Sequence, residues 1–131
     1  MTNSLLAIVG AAVLSQIIGF VWYGVFGNAW MRELGLRKHT MKKEGMWQKY
    51  LGSFVGSLIQ GFVLWSVLIA FGVTTAMSGF WIGLVIGLGF IGTTIAVNYM
   101  FEDKSLTLYS IVAGHQIISS AIMGLFMGFF L

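Results

Sequence analysis

Four long apolar runs, near residues 5–26, 50–71, 80–101 and 107–130, contain no Asp, Glu, Lys or Arg and take up most of the chain. A hydrocarbon core about 30 Å thick is crossed by roughly 20 helical residues. Each run is therefore long enough to cross a bilayer as one helix. The whole chain has 131 residues, so four spans leave no room for a separate soluble domain. Charged residues make up only 8% of it, against about one-quarter in a soluble domain, and could not cover a water-facing surface. The fold expected is all-α, an integral membrane four-helix bundle formed by residues 1–131 as a single transmembrane domain.

The start MTNSLLAIVG has no basic stretch and no small-residue cleavage pattern after it, so the first run reads as a retained span, not a signal peptide. With no cysteine, disulfides, thiolate metal sites and cysteine nucleophiles drop out. With no proline, any break in a span has to come from glycine.

The basic residues set the orientation. Arg32, Arg37, Lys38, Lys42, Lys43 and Lys49 lie between the first two runs and Lys104 between the last two. Lys and Arg near span ends stay in the cytoplasm. That makes 28–49 a basic cytoplasmic loop, puts both termini outside, and gives two helical hairpins of the same orientation. Trp22, Tyr23, Trp30, Trp47, Tyr50, Tyr99 and Tyr109 then fall at the cytoplasmic boundary, and Trp65 and Trp81 at the outer one, as amphipathic rings prefer. The net charge of +3 belongs to one loop and is not a face for nucleic acid. Residues 28–49 either merely set topology or bind anionic lipid or a partner, each basic group contributing about 1 kcal/mol near an anionic leaflet. Within the loop, WMRELGL suits a short interfacial helix, and Thr40 suits the cap of a second.

Glycine and small residues recur four apart: Gly79, Gly83 and Gly87; Gly52 and Gly56; Gly124 and Gly128; Ser15 and Gly19. Such spacing lets helix backbones approach closely, the main attraction available in lipid. A spare small-residue face would also support a homo-oligomer.

Every span carries polar groups near its middle. Gln16, Gln60, Asn98, His115, Gln116 and Ser119 are the candidate interior site, expected to face the bundle because polar side chains avoid lipid. They serve either as interhelical hydrogen bonds or as a polar pocket or pathway. His115, the one ionisable side chain within a span, supplies a single ligand and no metal set; no cofactor is expected. Small four-span exporters of cationic drugs are similar in size but rely on a carboxylate within a span, which this chain lacks. No Ser-His-Asp set and no phosphate-binding glycine loop is present, so enzyme chemistry is not expected. The adjacent Glu102 and Asp103 read as a solvated pair.

A second candidate site lies at the cytoplasmic rim: Trp22, Tyr23, Trp30, Lys42 and Lys43. Here GFVWYGVFGNAWM at 19–31, WIGLVIGLGF in the third run and MFEDKSLTLYSIVAGHQ at 100–116 form a pattern. The chain resembles the domain of unknown function 1761 family, small bacterial membrane proteins of four spans, over essentially its whole length. Trp22, Tyr23, Phe26, Gly27 and Trp30 carry the most specific part. Family members often have a proline after the Trp-Tyr pair where this chain has Gly24-Val25. The resemblance implies fold and topology and no activity. The chain is expected to end its first span at Trp22-Tyr23, bend at Gly24 and Gly27, and begin its return along the membrane at Trp30.

Two functions are compatible with these features: a permeation or transport module for a small solute or lipid-like molecule, and a scaffold or accessory subunit that docks a partner or anionic lipid. Replacing Lys42 and Lys43 by Gln together should lower the anionic lipid that co-purifies with the protein. Unchanged co-purification would show that the loop acts on topology alone.

Overall fold

A computed structural model describes residues 2–35 and 45–131. These residues form α1 (Thr2–Leu34), α2 (Met46–Ala70), α3 (Ala76–Ile86), a π-helical turn (Gly87–Gly92), α4 (Thr93–Phe101) and α5 (Leu106–Gly128). α3, the π turn and α4 run on as one rod, the third span. Four helices, α1, α2, this rod and α5, are long and apolar enough to cross a membrane. The described residues contain no strand. The chain is a multi-pass, all-helical membrane protein.

The first span is longer than its apolar run. At 33 residues α1 extends about 50 Å, well beyond a 30 Å hydrocarbon core. The expected bend at Gly24 and Gly27 and the separate surface helix in WMRELGL are therefore corrected, because one unbroken helix passes through both. Polarity ends an apolar run, but it does not end a helix, and Ala29, Met31, Arg32, Glu33 and Leu34 are all good helix formers. The chain turns at Gly35, whose φ of 71° suits glycine. Arg37, Lys38, Thr40, Lys42 and Lys43, with the helix cap expected at Thr40, lie outside the described residues.

The other ends are capped locally. The Thr75 side chain accepts from the Ser78 N–H at 3.1 Å, and Ser105 accepts from the Leu108 N–H at 3.0 Å, each satisfying a donor at a helix start. Ser105 also donates to the Glu33 carboxylate at 2.8 Å. That bond ties the end of α1 to the start of α5, so the loop after α1 and the turn after α4 share one end of the bundle, here the basic end.

α5 is the centre. Half of its apolar stretch is buried (50%), whereas no other span exceeds 28%. It packs along the third span on one side and α1 on another, while α2 leans chiefly on α1 and touches α5 and the third span little. Glycines explain the first of these contacts. A Cβ at Gly79 would collide with the Gly124 carbonyl, one at Gly83 with the Ser120 carbonyl, and one at Gly87 would stand 3.0 Å from the Ile117 Cα. The Ser120 hydroxyl donates to the Gly83 carbonyl at 2.8 Å.

The π turn shifts this register. Gly79, Gly83 and Gly87 are buried at four-residue steps, and the next buried residue is Gly92, five further on. One extra residue per turn rotates everything after it. Thr93, Thr94 and Asn98 are exposed in consequence, which corrects the placement of Asn98 in the bundle interior. The Thr93 hydroxyl donates to the Leu88 carbonyl at 3.2 Å and the Tyr109 hydroxyl to the Gly92 carbonyl at 3.0 Å, supplying donors where the helix ladder is disturbed.

The end away from the basic loop is an apolar core that includes Ala7, Ala11, Leu64, Trp65, Leu68, Met123 and Met127. Trp65 belongs to it at 8% exposure, so its ring packs within the bundle near the end of α2. It shares the buried face of α2 with Ser57, Gly61, Leu64 and Leu68, spaced as one helical stripe. Trp81, by contrast, is exposed.

Gly83→Leu should cost at least the ~1–3 kcal/mol of an overpacked core, read as a lowered thermal unfolding midpoint in detergent. Gly52→Ala, where an added Cβ meets nothing within 4 Å, should change stability by no more than about 1 kcal/mol.

Candidate functional site

Where the apolar core stops, serines take over the seam. Ser119 donates to Ser15 at 3.0 Å, and the Ser15 and Ser57 hydroxyls lie 3.3 Å apart; all three residues are buried. The Gln16 amide donates to Ser57 at 2.9 Å and to Ser53 at 3.2 Å. Ser53 also approaches the Gln16 carbonyl oxygen at 3.4 Å. This network joins α1, α2 and α5. Each such bond is worth about 0.6 kcal/mol on average in a membrane, and together they fix the register of three helices.

From the network towards the basic end, α1 and α2 part. A cleft of about 870 Å³ opens between them, with α5 contributing to its wall. Ser15, Gln16, Ser57, Gln60, His115 and Gln116 line its deeper part, and Phe20, Tyr23, Trp30, Met31, Met46 and Tyr50 its remainder. Between Ser15 and Trp30 the α1 wall extends for about 22 Å. Gly24, Gly27 and Gly56 line it too, and a Cβ added at any of them meets nothing within 4 Å. Here the missing side chains widen a space instead of closing a contact.

The polar groups facing this cleft differ in their state. Gln16 is engaged by Ser53 and Ser57. Among the described residues the amides of Gln60 and Gln116 have no hydrogen-bond partner. Both ring nitrogens of His115 are buried and unpartnered. The imidazole lies against the Gly19 backbone, 3.3 Å from where a Cβ would be, and meets the Tyr23 ring edge-on at a centroid distance of 5.3 Å. An unpaired polar group buried at membrane depth is costly, and His115 is one; Gln116 beside it on the cleft wall is half-buried, and Gln60 is exposed. A second cavity of about 250 Å³ lies beyond Gln60 and Gln116, which line both. It runs between α2, α5 and the π turn.

The two candidate sites of the sequence thus become largely one. Gln16, Gln60, His115 and Gln116 share a cleft with Tyr23 and Trp30. Ser119 lies beneath it in the serine network, and Asn98 lies elsewhere. Trp22 is not part of it: its indole N–H donates to the Ile111 carbonyl at 2.8 Å, and its ring fills the space over Gly114. Trp22 clamps α1 to α5. Lys42 and Lys43 lie outside the described residues. Phe20, Tyr50, Ser53 and Gly56 line the cleft but were missed from sequence. Their signal is helical spacing: 16, 20, 23, 27 and 30 share one face of α1, and 46, 50, 53, 57 and 60 one face of α2.

No charged side chain lines the cleft among the described residues, and no three of His, Cys, Asp and Glu gather anywhere among them. The arrangement suits hydrogen bonding to an uncharged group, since carboxamides offer both donors and an acceptor and carry no charge.

Fold and site together define a four-helix membrane protein with an intramembrane cleft. The sequence model of one family, described as protein of unknown function (DUF1761), matches residues 6–128, and the chain belongs to that family. Comparison with curated proteins and with solved structures finds no match.

Trp22→Phe should cost about 0.6 kcal/mol by loss of one part-buried hydrogen bond, and Trp22→Ala more, about 1–3 kcal/mol, both measured by thermal unfolding in detergent. Trp30→Phe, on the wall of a cleft, should change stability by less than about 0.5 kcal/mol.

Proposed function

We propose that the protein binds an uncharged, lipid-like molecule in the cleft between α1 and α2, as the binding step of a non-enzymatic permeation or transport module. The observation that carries this reading is that the amides of Gln60 and Gln116 and the buried, unpartnered His115 line one cleft whose remaining wall is largely aromatic and glycine. A hydrogen-bonding ligand stabilises those groups, and the glycine-widened wall admits its apolar body. A pore is less well supported than a binding cleft, because the core around Leu68 and Met127 is packed beyond the serine network.

In this reading the basic end faces the cytoplasm of a bacterial inner membrane and both termini face outward, following the asymmetry of Lys and Arg. Residues 36–44 add attraction to anionic lipid. The glycine contacts of α5 hold the rigid half of the bundle. The lightly attached α2 is the element whose movement would open or close the cleft. The uncovered small-residue face at Gly52 supports a homo-oligomer.

The test is to fill the cleft. Gly27→Trp places a large side chain in empty space. Small molecules extracted from the purified wild-type protein and identified by mass spectrometry should include a species that is depleted at least tenfold from Gly27→Trp, with the unfolding midpoint preserved. Identical extracts from both proteins would overturn the reading and favour an accessory subunit that docks its partner on the outer surface.

A further inference from the structure

The chemistry of the cleft narrows the class of its ligand, an inference that rests on the cleft being a ligand site. The carboxamides of Gln60 and Gln116 present donors and acceptors but no charge. An ionised head would sit at membrane depth without a counter-ion, at high cost. A pure hydrocarbon would leave the amides unpaired, a loss comparable to breaking a hydrogen bond for each. The bound head is therefore neutral and carries oxygen. Its depth excludes a phospholipid headgroup, which belongs at the membrane surface.

The walls add shape. Phe20 and Tyr50 stack across the cleft with centroids 5.8 Å apart and planes 21° from parallel, while Tyr23 turns its edge to His115. The bare backbone at Gly27 and Gly56 leaves room for a flat body. Flat aromatic walls favour offset stacking of a ring.

We infer that the cleft binds a ring lipid of the quinone class. Its ring lies near Phe20 and Tyr23, one ring oxygen meets the amides of Gln60 and Gln116, and its alkyl tail passes out between α1 and α2. A turn of the imidazole brings one of the unpartnered nitrogens of His115 to the same group. The carboxamides match the oxidised form, which only accepts hydrogen bonds, by their N–H groups. They match the reduced form, which also donates, by their carbonyls. Both redox forms are accordingly bound, and no electron transfer is assigned to the protein.

The experiment uses the full chain in nanodiscs of zwitterionic lipid and a benzoquinone with a decyl tail, followed by tryptophan quenching. Decylbenzene, with the same tail and ring but no oxygen, is the competitor. Saturable quenching at one quinone per chain is expected, unaffected by decylbenzene and weakened at least tenfold in Gln60→Leu and in Gln116→Leu. Gln60→Met keeps side-chain length and replaces Gln60→Leu should that variant unfold. Equal affinity in wild type and variants, or full competition by decylbenzene, would overturn the inference. Absence of quinone binding while Gly27→Trp still strips a co-purified molecule sinks the quinone class and leaves the ligand cleft standing. Absence of both sinks the two together.

Discussion

The close approach of the third span to α5 is the contact on which the rest of the bundle depends. In lipid, helices gain nothing by hiding apolar surface from water, so association rests on backbone proximity and hydrogen bonds. At Gly79, Gly83 and Gly124 the two backbones come so near that no β-carbon fits on either side. Ser120 adds a hydrogen bond to the Gly83 carbonyl within the same contact. With one face of α5 committed there, α1 takes a second, held by the Trp22 indole over Gly114. α2 arrives last in this hierarchy and is fastened mainly to α1.

That order produces an uneven molecule. At the end away from the basic loop, Ala7 and Ala11 let α2 and α5 close around Leu68 and Met127 without space. At the basic end, the Phe20 and Tyr50 rings meet between α1 and α2, and the glycines on the two helices leave room instead of filling it. The serine network marks the change from one regime to the other. Its members satisfy one another, whereas the buried His115 nitrogens have no partner and the Gln60 and Gln116 amides face the cleft. A chain that needed only hydrogen-bonded packing at this depth would place its amides within reach of partners. Their position at a cavity is the reason for reading a ligand site.

Much of this was legible in the sequence. The four spans were visible because lipid demands uninterrupted apolar length, and the runs ending near 71, 101 and 130 match α2, α4 and α5 closely. The end of α1 was not, since apolarity stops near Phe26 while helix-forming residues continue to Leu34. Asn98 was misplaced for a different reason. Unbroken 3.6-residue periodicity puts it on the buried face, and a single π turn rotates that face by one residue. The step from Gly87 to Gly92 contained that information, but only knowledge of which glycines are buried reveals it. That residues of both candidate sites line one cleft depends on how far α1 and α2 diverge, which no local pattern encodes. Lys42 and Lys43 lie outside the described residues, and their part in lipid binding stays with the charge argument.

The central claim is that a cleft between α1 and α2 holds a small molecule against polar groups at membrane depth. A density map of the protein in lipid nanodiscs tests it most directly. The account predicts α5 seated against the third span at Gly83 and Gly124, with non-protein density between Gly27 and Gly56 reaching Gln60 and Gln116. A map in which α1 and α2 close until those glycine backbones touch, or in which a helix of a second copy fills the space, would contradict it.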